Sequence, residues 1–326
     1  MGHGITVNDG MMSVRVAPWH GLGKVVPEGV DTFEAQEIAG LCWGVRKTRI
    51  YAEGPDGSPV LVPDTFGIMR DDVGVCLGTV GPLYTPLQNS DMFRAVDMFC
   101  RTAGVRVETC GSLREGRLVW ALAGDGEKEF VPGDPVTRYF LFKNSNDGST
   151  AVQICYTDVR VVCANTLNMA VKNANNMYCI RHSPSMGEMV ESSVAALAER
   201  RAYDDELREL MSALAAKPLG AERTRELTAK LVLSGVRNAG DISEARLLDK
   251  RAGAAILTLV ESGAGADLPG VRGTAYGWFQ AAAEYADHGR TYSPRTGDAG
   301  ESRFLSVLSG EAARIKRTAL KLALAA

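Results

Sequence analysis

The 326 residues carry 36 Lys and Arg against 39 Asp and Glu, a formal net charge of -3, and 45% of them are hydrophobic. That composition supplies the core of one large or two ordinary globular domains and excludes wholesale disorder. It also excludes a surface that is basic all over, so any nucleic-acid contact must be a local patch.

Seven cysteines, Cys42, Cys76, Cys100, Cys110, Cys155, Cys163 and Cys179, form an odd set without a CxxC pair. This fits reduced thiols in a cytoplasm better than a disulfide scaffold. The histidines His3, His20, His182 and His288 are far apart, which argues against a His-rich metal site. The first ten residues are polar and Gly-rich rather than a signal, and no apolar run is long enough to span a bilayer. A cytoplasmic protein with no membrane partner is expected. No GxGxxG after a strand, P-loop, HExxH, GxSxG or zinc-deaminase pattern is present, and no cofactor is expected.

In chain order, residues 1–31 read as an irregular Gly- and Pro-rich arm. Asp31 or Thr32 caps a short helix running to Gly40, with Glu34 and Glu37 near its positive end. The period then becomes alternating. Residues 43–51 read as a strand, Pro55-Asp56-Gly57 as a turn, and residues 60–69 as the partner strand, with 73–80 next. Pro82 and Pro86 break the sheet, and Asn89 or Ser90 caps a helix over 91–102 with Met92, Phe93, Val96, Phe99 and Cys100 at helical spacing.

A second strand group covers 105–110, 117–123, 136–144 and 149–156. Its turns are Arg114-Glu115-Gly116 and Asn146-Asp147-Gly148, the latter a strong hairpin signal. Residues 159–174 start apolar and turn helical around 165–170. From Gly187 the chain is rich in Ala, Leu, Glu and Arg, with helical stretches to 214, over 220–235, 243–261 and 273–287, and a last amphipathic helix over 303–326. The reading is an α+β fold: a core domain over 1–185, in which antiparallel strand groups are packed by helices, and a mainly helical region over 186–326.

Three basic and polar sets stand out. Residues 43–51 place Arg46, Lys47 and Arg49 with Trp43 and Tyr51 on one strand, and alternation puts Trp43, Val45, Lys47, Arg49 and Tyr51 on one face. Single-stranded nucleic-acid sites combine cations for phosphates with aromatic rings for bases, although a mixed edge strand has the same composition. Arg160, Asn165, Thr166, Asn168, Lys172, Asn173, Asn175 and Asn176 lie in a stretch, 159–180, without a single acid. Amides and cations of this kind suit phosphate and sugar contacts, and asparagines equally cap helices and form turns. The tail over 303–326 has five basic residues and one acid, Glu311, beside an apolar stripe, as a packed final helix also would.

Cys163 and His182 could form a nucleophile and base, and Asp71-Asp72 or Asp204-Asp205-Glu206 could hold a divalent cation. A buried thiol, an exposed turn and a solvated helix face account for the same residues.

Four motifs occur together and in order: Pro18-Trp19-His20-Gly21-Leu22-Gly23, Tyr84-Thr85-Pro86-Leu87-Gln88-Asn89, Arg160-Val161-Val162-Cys163-Ala164-Asn165-Thr166-Leu167, and Arg272-Gly273-Thr274-Ala275-Tyr276 with Glu284-Tyr285-Ala286-Asp287-His288. As a set they resemble the phage/plasmid-like protein family, a domain of unknown function (DUF932), over residues 8–320. The resemblance implies a protein carried by bacteriophages or plasmids and made in the bacterial cytoplasm, and it transfers no catalytic residue. The strand-group-then-helix rhythm also resembles, as a fold-level analogy, the core of single-strand annealing recombinases.

The expected function is therefore binding of single-stranded DNA, with an annealing role, on a homo-oligomer. Arg46, Lys47, Arg49, Arg160 and Lys172 would hold phosphates, Asn165 and Thr166 would add polar contacts, and Trp43 and Tyr51 would stack bases, with Trp19 and Tyr84 as further candidates. The alternatives are a non-catalytic interaction factor of a mobile element and an enzyme of unfamiliar type using His20, Cys163 and His182.

Overall fold

The computed structural model describes residues 9–14, 23–160, 165–167, 177–198, 202–236, 242–291, 306 and 310–326, of which 125–127, 157–160, 165–167 and 202–206 by backbone alone. The architecture is α+β, with the described strands before residue 181 and most helices after it. Two compact units interleave along the chain: Met1–Asp125 with Phe140–Tyr156 and Asn176–Arg200, and Gly126–Tyr139 with Thr157–Asn175 and Arg201–Ala326. They are thus not the consecutive blocks 1–185 and 186–326 that composition suggests.

The chain opens with β1 (Met11–Val14) and β2 (Lys24–Val26), which pair in parallel, an exception to the otherwise antiparallel pairings of known register. Helix α1 (Thr32–Ile38) starts where expected, because an Asp31 carboxylate oxygen accepts from the Phe33 and Glu34 amides, both at 2.9 Å. A three-stranded sheet follows, in the order β3 (Val45–Glu53), β4 (Pro59–Arg70), β5 (Cys76–Val80). Helix α2 (Asn89–Ala103) ends on left-handed Gly104.

The larger sheet adds β6 (Arg106–Leu113), β7 (Leu118–Val131), β8 (Asp134–Ser145), β9 (Val152–Arg160), β10 (Asn165–Leu167) and β11 (Met177–Ile180), in the order β10-β9-β8-β7-β6-β1-β2, with β11 also paired to β9. Strand β7 runs eight residues past the expected end at 123. Gly124 still pairs with Arg106 instead of turning, and the chain reverses only around left-handed Gly133.

Within the first unit, α2 lays Met92, Phe93, Val96 and Phe99 into the core. Phe99 stacks on Phe140 with centroids 3.7 Å apart, and Tyr156 meets Phe99 edge-on at 6.0 Å. Helix α3 (Met186–Ala198) belongs to this unit and accepts the Tyr156 hydroxyl at the Leu197 carbonyl, 2.9 Å.

The β8–β9 turn is the hairpin expected from Asn146-Asp147-Gly148. Burial of the Asp147 carboxyl opposes ionisation, but hydrogen bonds from Ser145 and Ser149 and the Arg117 charge outweigh it, so its pKa lies below the ordinary aspartate value. A depressed folded-state pKa means stability that is present above the unfolded-state value and is lost as pH falls from there through the folded one. Thermal unfolding of the Asp147→Asn variant is expected to show a deficit at neutral pH that shrinks as pH falls below the ordinary aspartate range. A pH-independent deficit would contradict this.

In the second unit, α4 (Ala202–Ala215), α5 (Ala221–Leu233), α6 (Glu244–Leu248) and α7 (Arg251–Ser262) precede α8 (Ala275–Glu284), which is buried on nearly every side. Its polar tips find buried partners. The Tyr276 hydroxyl donates to Asp134 at 2.8 Å and the Trp278 indole to Thr228 at 3.0 Å. A π-turn, Tyr285–Gly289, follows α8 and carries Asp287. The last helix, α9 (Glu311–Leu324), buries Ala312, Ala313, Lys316, Ala319, Leu320 and Ala323, so the basic tail has the packed reading. The Lys316 ammonium reaches both Asp287 oxygens, at 2.7 and 3.1 Å.

Candidate functional site

The β3–β4 hairpin presents the first basic set, and the Tyr84 to Asn89 motif holds it. The Gln88 amide forks onto the backbone of Val45, accepting from its N–H at 3.0 Å and donating to its carbonyl at 2.8 Å. Asn89 donates to the Trp43 carbonyl at 3.1 Å and Tyr84 to the Ser145 carbonyl at 2.9 Å. This motif is thus a staple: short polar side chains replace strand partners where β3 begins.

Five expected contact residues lie here, in three conditions. Trp43 precedes the strand and is 7% exposed. The Arg70 guanidinium lies 4.3 Å from its ring centroid, and Arg70, 3% exposed, is held by Asp72 through bonds of 2.8 and 3.0 Å. The ring is covered by protein, not open for a base to stack on. Lys47 is a strut: its ammonium donates to the Pro82 carbonyl and, at 3.0 Å, to that of Tyr84, and sits 4.5 Å from the Phe66 ring. Arg46, Arg49 and Tyr51 remain outward. Arg46 pairs with Asp71 at 2.9 Å where both are exposed, an arrangement worth no more than about 1 kcal/mol. Arg49 is exposed and makes no ion pair among the described residues. Tyr51 is 58% exposed.

The hairpin register explains why the distal end is open. Arg49 faces Phe66, yet Tyr51 faces Leu61, so Ile50 opposes four residues, 62–65. Pro63 has no N–H to give the ladder, and Asp64 takes a left-handed φ of 51°. Past this bulge, Tyr51, Val60 and Leu61 are all exposed. The expected face of alternating residues therefore grades from buried Val45 to open Tyr51, with only its outer part available.

Of the second set, the backbone alone is described for Arg160, Asn165 and Thr166. Asn165 pairs with Arg160 across an antiparallel ladder, so residues 165–167 form a strand where a helix is expected. The β-branched Thr166 between Asn165 and Leu167 accepts this as readily as a helix would. These residues belong to the second unit, Arg46 and Tyr51 to the first. Trp19, His20, Cys163, Asn168, Lys172 and Asn173 lie outside the described residues.

The chemistry around His182 is that of a packed imidazole. Its ring stacks on Tyr84 at 4.5 Å, and Nδ1 lies 3.3 Å from the Thr85 carbonyl. Burial lowers its pKa, and the Thr85 contact opposes that. Burial pushes the Cys100 thiol up to about 11 and raises Cys110 as well, the opposite of an activated nucleophile. Among the described residues no three His, Cys, Asp or Glu side chains converge as metal ligands, and no helix is long and apolar enough to cross a membrane. A shallow groove of about 280 Å³ runs between α2 and α3, with Met98, Met186 and Val190 inside and Asp91, Arg94 and Glu191 at its rim. Arg94 is already paired with Asp91 at 3.0 Å.

A family model described as "Domain of unknown function (DUF932)" matches residues 76–308. No curated protein and no solved structure matches the chain.

Proposed function

The chain belongs to the DUF932 family, and from that premise we propose that it is a DNA-metabolism protein of a phage or plasmid that binds single-stranded DNA and promotes annealing. The observation that carries the reading is Tyr51, more than half exposed and two residues along the same strand from Arg49, which makes no ion pair among the described residues. A ring that stacks on any base, beside a cation for the phosphate, is the minimal unit of sequence-tolerant single-strand binding. Arg46 adds a second cation whose surface pair with Asp71 is weak enough to exchange for a phosphate. Trp43 and Lys47 act behind this surface, as its support. Arg160, Asn165, Thr166 and Lys172 are proposed as contacts of the second unit. With a net charge of -3, one copy offers a short footprint, and a homo-oligomer in the cytoplasm would supply the length that annealing needs.

The test is binding of a fluorescent single-stranded oligonucleotide to the full chain and two variants. Tyr51→Ala is expected to weaken binding roughly tenfold, the loss of one stacked base. Arg49→Glu is expected to weaken it and to reduce its dependence on salt. Wild-type affinity in both variants would exclude this surface.

A second reading has its own observation. Val60 and Leu61 are exposed beside Tyr51, so the hairpin end is an apolar surface as well as a basic one. Such a surface also suits a protein partner of a mobile-element interaction factor. That reading requires the wild-type chain not to bind the oligonucleotide.

A further inference from the structure

Residues 114–116 form a constrained turn in the first unit. Arg114, Glu115 and Gly116 all have positive φ, at 57°, 64° and 95°. The first two carry a Cβ that disfavours this conformation, so something outside the turn must hold it. That something is Asp9. One carboxylate oxygen accepts from the Ser112 hydroxyl at 2.8 Å and the Gly116 amide at 2.9 Å, and the other accepts from the Glu115 amide at 2.8 Å. Converging backbone N–H groups of this kind form an anion cradle, and the anion is the protein's own. Asp9 leads into β1, whose Met12 is fully buried and which caps the edge of β6.

The far side of the same turn is equally engaged. Arg70 donates to the Glu115 carbonyl at 3.0 Å, and Asn146 to the Gly116 carbonyl at 2.9 Å. Arg70 in turn covers Trp43 and closes β4 at the base of the three-stranded sheet. The Arg70 and Asp71 amides there donate to the Val75 and Gly44 carbonyls at 2.9 and 3.0 Å. One unbroken path of hydrogen bonds thus joins the first described residue of the arm to the sheet that carries Arg46, Arg49 and Tyr51.

We infer that the β1 segment is a strap latched by the Asp9 carboxylate, and that latching holds the 114–116 turn left-handed and, through Arg70, sets the base of the β3–β5 sheet. The state of the strap is then a control on that sheet, whatever the sheet binds. Two sites are coupled only if a shared element has two arrangements that both bias, and here that element is the turn. Its strained form exists with the carboxylate in place, and a relaxed form is available when the carboxylate leaves.

Site-resolved amide hydrogen exchange on the full chain tests the inference without reference to DNA. Asp9→Asn keeps the size and removes the charge. Amides of Met11 to Val14, of Glu115 and Gly116, and of Arg70 and Asp71 are expected to exchange about tenfold faster or more, with α2 amides unchanged. Ser112→Ala removes one of the three latch bonds and is expected to give a smaller change at the same positions, and it carries the test if Asp9→Asn does not fold. Faster exchange confined to the strap and the turn, with Arg70 and Asp71 as in the wild type, overturns the inference. So does an absence of change at all these sites.

Discussion

Replacing Asp287 by alanine is expected to destabilise the second unit by about 3–5 kcal/mol, the cost of leaving a buried ammonium without its counter-ion. The side chains of Lys316 and Asp287 are only 1% and 3% exposed. Burial pulls the Lys316 pKa below the ordinary lysine value, and the Asp287 charge and hydrogen bond work against that pull. Asp287 is thus the group that favours the charged form of this buried amine. The pair joins the π-turn after α8 to α9. The double variant Asp287→Leu, Lys316→Met is expected to recover most of the loss, since an apolar pair of similar volume replaces a costly desolvated one. Exchange of α8 amides reports both. Equal destabilisation in the single and double variants would show that the pair does more than satisfy itself.

Gly116→Ala is expected to cost about 3 kcal/mol in the first unit, from a left-handed alanine and an overpacked core together. A Cβ at this position would lie 2.6 Å from the Trp43 ring, on a residue with φ of 95°. The Arg70 guanidinium, 4.3 Å from the same ring, crowds the position further, with its Nη1 3.4 Å from that Cβ. Gly104 provides the control: its φ is 72°, and a Cβ there meets nothing within 4 Å. Gly104→Ala is therefore expected to cost only the strain, about 1 kcal/mol. Urea titrations of the two variants against the wild type measure the difference, and equal losses would remove the argument that Trp43 crowds this position.

Much of the fold is legible where one short segment decides its own conformation. Asp31 announces α1, Asn146-Asp147-Gly148 announces the β8–β9 turn, and the spacing of Met92, Phe93, Val96 and Phe99 announces α2. Other features depend on partners distant in sequence. Trp43 and Arg70 are 27 positions apart, and nothing in residues 43–51 shows that the ring is already covered. Lys47 reads as a free cation until the Pro82 and Tyr84 carbonyls are seen beneath it. The four-residue bulge opposite Ile50 did have a signal, Pro63 inside a strand-like run, and Gly133 after Pro132 was likewise a visible turn within the long β7–β8 ribbon. The interleaving of the two units, with 126–139 and 157–175 grouped with the helical residues from 201, has no counterpart in local composition.

The family motifs are informative in a different way. Tyr84, Gln88 and Asn89 spend their polar groups on backbone atoms of other segments. Their polar groups hold the fold, and the contacts proposed for DNA fall to less distinctive residues such as Arg49 and Tyr51.

The most direct measurement is binding of the wild-type chain to a fluorescent single strand and to the matching duplex across a salt series. Tighter binding to the single strand is expected, weakening linearly in log–log terms as salt rises, with the shallow slope of a few phosphate contacts. No binding to either at low salt, or equal binding to both, would contradict it.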